Sequence, residues 1–148
     1  IDMDVALANN LAQGAYELRV WLAGSTYSNT INFTVLGSDD HGNTPTSATA
    51  INALPASVNG TLTAGDLDWF SYTATSSGNL VFQTTGSTDT FCEYFTDGRM
   101  IDRDDDDGTG TNCRLALTAV EGTDYRFKVR HYNADGGTGP YTVTLTAP

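Results

Sequence analysis

Lysine is almost missing from this chain of 148 residues: Lys128 stands alone, and Lys and Arg together number seven against eighteen Asp and Glu. The formal charge of −11 excludes binding to a phosphate backbone, which needs a basic surface. The same negative field repels anionic lipid, and no apolar run approaches the roughly 18 residues of a membrane helix, so membrane insertion is not expected. No basic stretch followed by an apolar one opens the chain, so any secretion signal is expected to have been removed or to lie outside this sequence. Catalytic constellations are missing too. There is no Gly-x-Ser-x-Gly elbow and no His-Glu-x-x-His helix, and the two histidines, His41 and His131, accompany no obvious nucleophile. The chain is not expected to be an enzyme.

Aspartate is what the sequence has in excess, supplying fifteen of the eighteen acids, with fifteen Gly and abundant Thr beside it. Asp favours turns, caps and oxygen-rich ion sites over helix or strand interiors. Apolar residues recur with a period of two nearly everywhere. Strands are expected over residues 1–7, 16–22, 30–36, 56–62, 68–74, 79–85, 91–96, 100–102, 113–119, 124–131 and 141–146, with a short apolar segment at 48–54. Turn signals separate them at the spacing of an all-β sandwich. The fold class is therefore all-β, an antiparallel sandwich of jelly-roll or immunoglobulin-like type, with an extra three-stranded N-terminal segment.

Residues 37–45, Gly-Ser-Asp-Asp-His-Gly-Asn-Thr-Pro, have no periodicity and many turn formers, and form the best domain boundary. An internal echo supports the division. Leu11-Ala12-Gln13-Gly14-Ala15-Tyr16-Glu17-Leu18-Arg19-Val20 parallels Val120-Glu121-Gly122-Thr123-Asp124-Tyr125-Arg126-Phe127-Lys128-Val129. Each has the form of a tyrosine corner, in which the phenol caps a connecting turn. Residues 1–37 read as the C-terminal strands of an immunoglobulin-like domain or as a strand-exchange segment, and 38–148 as a whole sandwich.

Cys92 and Cys113 sit in strand-like neighbourhoods. They form one disulfide in an oxidising compartment or remain two buried thiols, and the compartment argument favours the bridge. Acidic clusters occur at Asp39-Asp40-His41-Gly42-Asn43, Asp66-Leu67-Asp68, Asp89 and Asp102-Arg103-Asp104-Asp105-Asp106-Asp107. Ca²⁺ takes six to eight hard oxygen ligands, which such loops offer, whereas Mg²⁺ prefers water-rich octahedral sites and zinc lacks its usual ligands here. The competing reading is a solvated acidic surface. An EF-hand is excluded, because Asp107 and Cys113 stand where that loop needs Gly and Glu. Trp69, Tyr94 and Tyr132 are either ordinary sandwich residues or an exposed platform for an extracellular polymer.

The ordered series Asp39-Asp40-His41-Gly42-Asn43-Thr44, Gly65-Asp66-Leu67-Asp68-Trp69-Phe70, Thr85 to Thr90, Asp105-Asp106-Asp107-Gly108, Gly122 to Val129 and Gly139 to Val143 resembles the bacterial pre-peptidase C-terminal domain over about residues 38–148. The resemblance implies a non-catalytic, calcium-stabilised sandwich appended to a secreted bacterial protein and acting outside the cell or at its surface. It also implies ligands from Asp39, Asp40, Asn43, Asp66 and Asp68, and from Asp89 with Asp104, Asp105, Asp106 and Asp107. Cys92, Cys113 and the long Asp run depart from the family pattern. Such a domain stabilises, spaces or anchors its parent polypeptide, in the last case on an extracellular polymer or surface. The alternative is a subunit of an extracellular filament or surface layer, exchanging the strand Ile1–Leu7 with neighbouring subunits.

Overall fold

A computed structural model describes the backbone of residues 14–18 and 31–35 and all of residues 39–147. The contacts divide the chain into two units, Ile1–Asp39 and Asp40–Pro148. In the first, strand β1 (Gly14–Leu18) pairs antiparallel with β2 (Ile31–Val35), Tyr16 opposite Phe33. The expected strand Ile1–Leu7, the turn at 24–26 and the Tyr16 corner lie outside the described residues.

The second unit is all-β among the described residues. Its strands are β3 (Thr49–Ala50), β4 (Ala56–Leu62), β5 (Asp68–Thr73), β6 (Gly78–Thr85), β7 (Thr90–Thr96), β8 (Arg99–Asp104), β9 (Arg114–Ala119), β10 (Asp124–His131) and β11 (Gly139–Thr146). They form a five-stranded sheet in the order β3-β5-β10-β7-β8 and a four-stranded sheet in the order β4-β11-β6-β9. All pairings are antiparallel except the short β3–β5 pair. The expected strands from 56 onward match within three residues at every end, and only two residues of the 48–54 segment are strand.

Alternation explains the layers. Tyr125, Phe127 and Val129 of β10 face inward, as do Tyr141, Val143 and Leu145 of β11, all buried. Phe82 of one sheet stacks on Phe127 of the other, ring centroids 4.3 Å apart and planes nearly parallel. The corner at Tyr125 forms as its sequence implies: the Val120 N–H donates to the Tyr125 hydroxyl at 3.0 Å, capping the turn that enters β10.

Cys92 of β7 and Cys113, just before β9, form the disulfide, both wholly buried and joining the two sheets. The bridge closes a loop with 21 residues of sequence separation. A loop of that length restricts the unfolded chain by about 3 kcal/mol. Replacing both cysteines by alanine is expected to lower unfolding stability by about that amount, measured by urea denaturation. Reducing agent should destabilise the parent protein and leave the double variant unchanged.

Candidate metal centre

All four acidic clusters map to one end of the sandwich. The registers place there the entry to β5 after Asp66, the β6–β7 turn holding Asp89, and the β8–β9 loop from Asp104. The 39–48 segment reaches the same end, since β3 enters parallel to β5.

At this end Asp39, Asp40 and Asp68 each bring a carboxylate oxygen within 4.8 Å of the others. Asp39 and Asp40 are exposed, whereas Asp68, the first residue of β5, is wholly buried. Alternation dictates this burial, for Asp68 precedes Phe70 and Tyr72 on the inward face. From the opposite sheet, the Tyr141 hydroxyl donates to Asp68 Oδ2 at 2.5 Å. Tyr141 reaches that far because Gly60 is its cross-strand partner, and any side chain at Gly60 would overlap the phenol ring. Burial, then the charge of Asp68 and its hydrogen bond, then the charges of Asp40 and Asp66, push the Tyr141 pKa far above the ordinary tyrosine value. The phenol therefore stays protonated and remains a donor.

His41 fastens the acidic loop. It is buried and packs against Phe70 with the rings tilted by 56°, centroids 4.6 Å apart. One ring nitrogen, Nε2, donates to the Asn59 carbonyl at 2.9 Å, and the other, Nδ1, is hydrogen-bonded to the Thr49 hydroxyl at 2.9 Å. The loop is thereby tied to both sheets, and the Trp69 N–H adds a bond to the Gly42 carbonyl at 3.1 Å.

The other expected ligands divide. Asn43 Oδ1 and Asp66 Oδ1 both accept from the Leu67 N–H, each at 2.9 Å, and Asp66 Oδ2 accepts from the Thr63 N–H at 3.1 Å. These two residues shape the loops around the carboxylate group. Among the described residues, Asp89 and Asp104 to Asp107 form no group of that tightness. The physical reason is local: Asp104 Oδ2 accepts from the Asp107 N–H at 3.1 Å and the Arg114 N–H at 2.7 Å, so its carboxylate caps a turn. Asp106 is exposed, and loss of solvation followed by the charges of Asp105, Asp89, Asp104 and Asp107 raises its pKa.

The three aromatic residues stand at different places. In the five-stranded sheet Trp69 is opposite Lys128 and Glu93 on the outer face, while Tyr94 is opposite Phe127 on the inner one. Trp69 is only 7% exposed, Tyr94 is half-buried and Tyr132 is 57% exposed.

No family model matches the chain, and no curated protein sequence matches it. Among solved structures, the pre-peptidase C-terminal domain of a collagenase from Bacillus anthracis aligns with 71% of this chain and all of its own, at 19% identity and a TM-score of 0.56. The second unit has the fold of a pre-peptidase C-terminal domain. That fold is also similar to PliG of Aeromonas hydrophila, a periplasmic inhibitor of g-type lysozyme (TM-score 0.54, 17% identity, 68% of this chain and 97% of that one). A third similar structure is CorA of Methylomicrobium album BG8, a surface-associated copper-binding protein (TM-score 0.50, 12% identity, 69% of this chain and 98% of that one). The pre-peptidase resemblance read from the acidic and aromatic motifs thus agrees with the architecture.

Two outcomes are expected from the site's electrostatics. A raised tyrosine pKa contributes stability that is complete below the ordinary value of about 10 and is lost as pH rises above it, because the unfolded chain ionises first. Tyr141→Phe should cost about 1–3 kcal/mol at pH 7 by leaving Asp68 Oδ2 without its donor. It should also flatten the alkaline loss, by up to about 1.4 kcal/mol per pH unit. Urea titrations from pH 7 to 11 measure both effects. For Asp106 the raised pKa means repulsion at neutral pH that eases as pH falls. Asp106→Asn should raise the melting temperature slightly in low salt, and the gain should vanish near 1 M salt, where charges are screened beyond about 3 Å.

Proposed function

We propose that residues 38–148 form a non-catalytic, calcium-binding accessory domain of a secreted bacterial protein, which stabilises its parent and anchors it outside the cell. The observation that carries this reading is the Asp39, Asp40 and Asp68 trio, whose oxygens gather within 4.8 Å around one wholly buried carboxylate. Like charges so close repel strongly, and burial amplifies the cost. An all-oxygen, carboxylate-rich donor set fits a hard dication. Bound calcium would supply the positive charge that turns mutual repulsion into cohesion.

The chain's own residues do the remaining work. His41 holds the loop carrying Asp39 and Asp40 against both sheets, and Tyr141 orients Asp68. Asn43 and Asp66 hold the Leu67 N–H between them, bringing the 39–43 loop against the turn that enters β5. Metal binding is then linked to folding, since the unfolded chain holds no such trio. An extracellular setting accords with the buried disulfide, a bond that persists in oxidising compartments.

Calcium at about 100 times its dissociation constant contributes about 2.7 kcal/mol, which should raise the melting temperature by roughly 10 °C over chelated protein. Magnesium at the same concentration should fail to do so. Asp40→Asn, at an exposed position, should abolish most of the calcium shift while leaving the chelated protein at least as stable as its parent. Differential scanning calorimetry checks all three, and an unchanged curve after thorough chelation ends the reading.

A further inference from the structure

The outer face of the five-stranded sheet carries a cleft of about 700 Å³, walled by residues 45–48 on one side and the β7–β8 turn on the other. This volume lies within the range of small-ligand sites. Its floor is Trp69 and Phe95, ring centroids 5.0 Å apart. Lys128 lies over both rings, at 5.8 and 5.7 Å from their centroids, and is ion-paired to Glu93. Register puts Ser71, Arg126 and Phe95 in one row across three strands, with Asp124 further along β10 and Asp97 in the turn. The indole Nε1–H of Trp69 is buried and has no hydrogen-bond partner among the described residues. A buried donor left unmet is costly, and such groups are rare without a reason.

We infer that this cleft binds a neutral sugar unit of an extracellular glycan. The choice of ligand follows from the lining. An anionic ligand meets Asp97 and Asp124 and the charge of −11 on the whole chain. A cationic one meets Arg126. A hydrocarbon leaves the exposed Asp97 carboxylate and the remaining donors of the Arg126 guanidinium facing apolar atoms. A neutral ring with an apolar face and several hydroxyls answers every feature. Its face packs on the exposed part of the Trp69 and Phe95 floor, its hydroxyls donate to Asp97 and Asp124, and its oxygens accept from Arg126. Arg126 retains donors for this, since among the described residues its side chain makes one hydrogen bond, from Nη1 to the Tyr125 carbonyl at 3.3 Å. Asp97 is exposed and holds a φ of 50°, a conformation asparagine also tolerates.

This inference deepens the anchoring part of the proposed function and leaves the calcium part untouched, so the two can fail separately. The test uses the ¹⁵N-labelled full chain in calcium buffer, titrated to 10 mM with cellotriose, chitotriose, xylotriose and maltotriose. Controls are trigalacturonate, trilysine and a proline-rich peptide. The Trp69 indole signal is identified by its disappearance in Trp69→Phe. At least one neutral trisaccharide should move that signal together with the Ser71 and Phe95 amides along a single binding curve. Asp97→Asn and Arg126→Ala should each weaken that curve at least fivefold without lowering the melting temperature. Overturning results are no movement of these signals with any neutral sugar, movement confined to other surfaces, or movement with a control in their place. Absence of sugar binding alongside an intact calcium shift removes this inference alone, and sugar binding without a calcium shift removes only the metal reading.

Discussion

One buried carboxylate organises the acidic end of this sandwich. Asp68 occupies an inward position on β5, where alternation would ordinarily place an apolar side chain. Burying an ionised carboxyl is costly unless donors or counter-charge meet it. Tyr141 meets one oxygen from the facing sheet, so a polar bond crosses the core where Phe82 and Phe127 cross it by stacking. That bond requires a strand partner with no side chain. Gly60 supplies the space, and a methyl group there would displace the phenol from its carboxylate.

Asp39 and Asp40 make the arrangement more demanding. Bringing two further carboxylates to the same point raises the electrostatic cost of folding, yet the loop that carries them is pinned by His41 to both sheets. Rigid attachment of mutually repelling groups is a pattern expected of ion sites, where the scaffold holds ligands ready and the ion repays the repulsion. The Asp104–Asp107 run illustrates the contrast. Its acids are more numerous, but among the described residues no three of them meet as closely as the trio, and Asp104 caps backbone N–H groups. Charge count and charge convergence are different properties.

That difference marks where sequence reasoning succeeds and where it stops. Period-two patterning and turn residues located the strands from Ala56 onward, and the Val120 to Tyr125 segment announced its own hydroxyl cap, because these features are local. Of ten expected ligand residues, Asp39, Asp40 and Asp68 converge; which three do so depends on how β5 stands against the 39–43 loop, and no local spacing encodes that. His41 looked like one polar residue among acids, although it is a buried clamp between sheets. The partnership of Gly60, Tyr141 and Asp68 spans more than eighty positions and exists only through the β4–β11 register. Trp69 and Tyr94 fell into one aromatic set for the same reason: parity along a strand is legible, but parity between strands waits on the pairing that puts Lys128 beside one and Phe127 beside the other.

Parity also couples the two faces of β5. Asp68 and Trp69 are consecutive, so the residue that enters the acidic site and the residue that floors the outer cleft share one peptide link while pointing to opposite sides. The Trp69 N–H is bonded to the Gly42 carbonyl, in the loop that His41 clamps and that carries Asp39 and Asp40. Whatever tightens the carboxylate trio also restrains the backbone beneath the cleft floor. Lys128, paired with Glu93, lies 5.8 and 5.7 Å from the Trp69 and Phe95 ring centroids and restrains both rings. A cleft with a restrained floor loses less side-chain freedom on binding, which is the condition under which a surface site gains useful affinity. The acidic end and the aromatic face are therefore two outputs of the same strand, set by the alternation of a single β ladder.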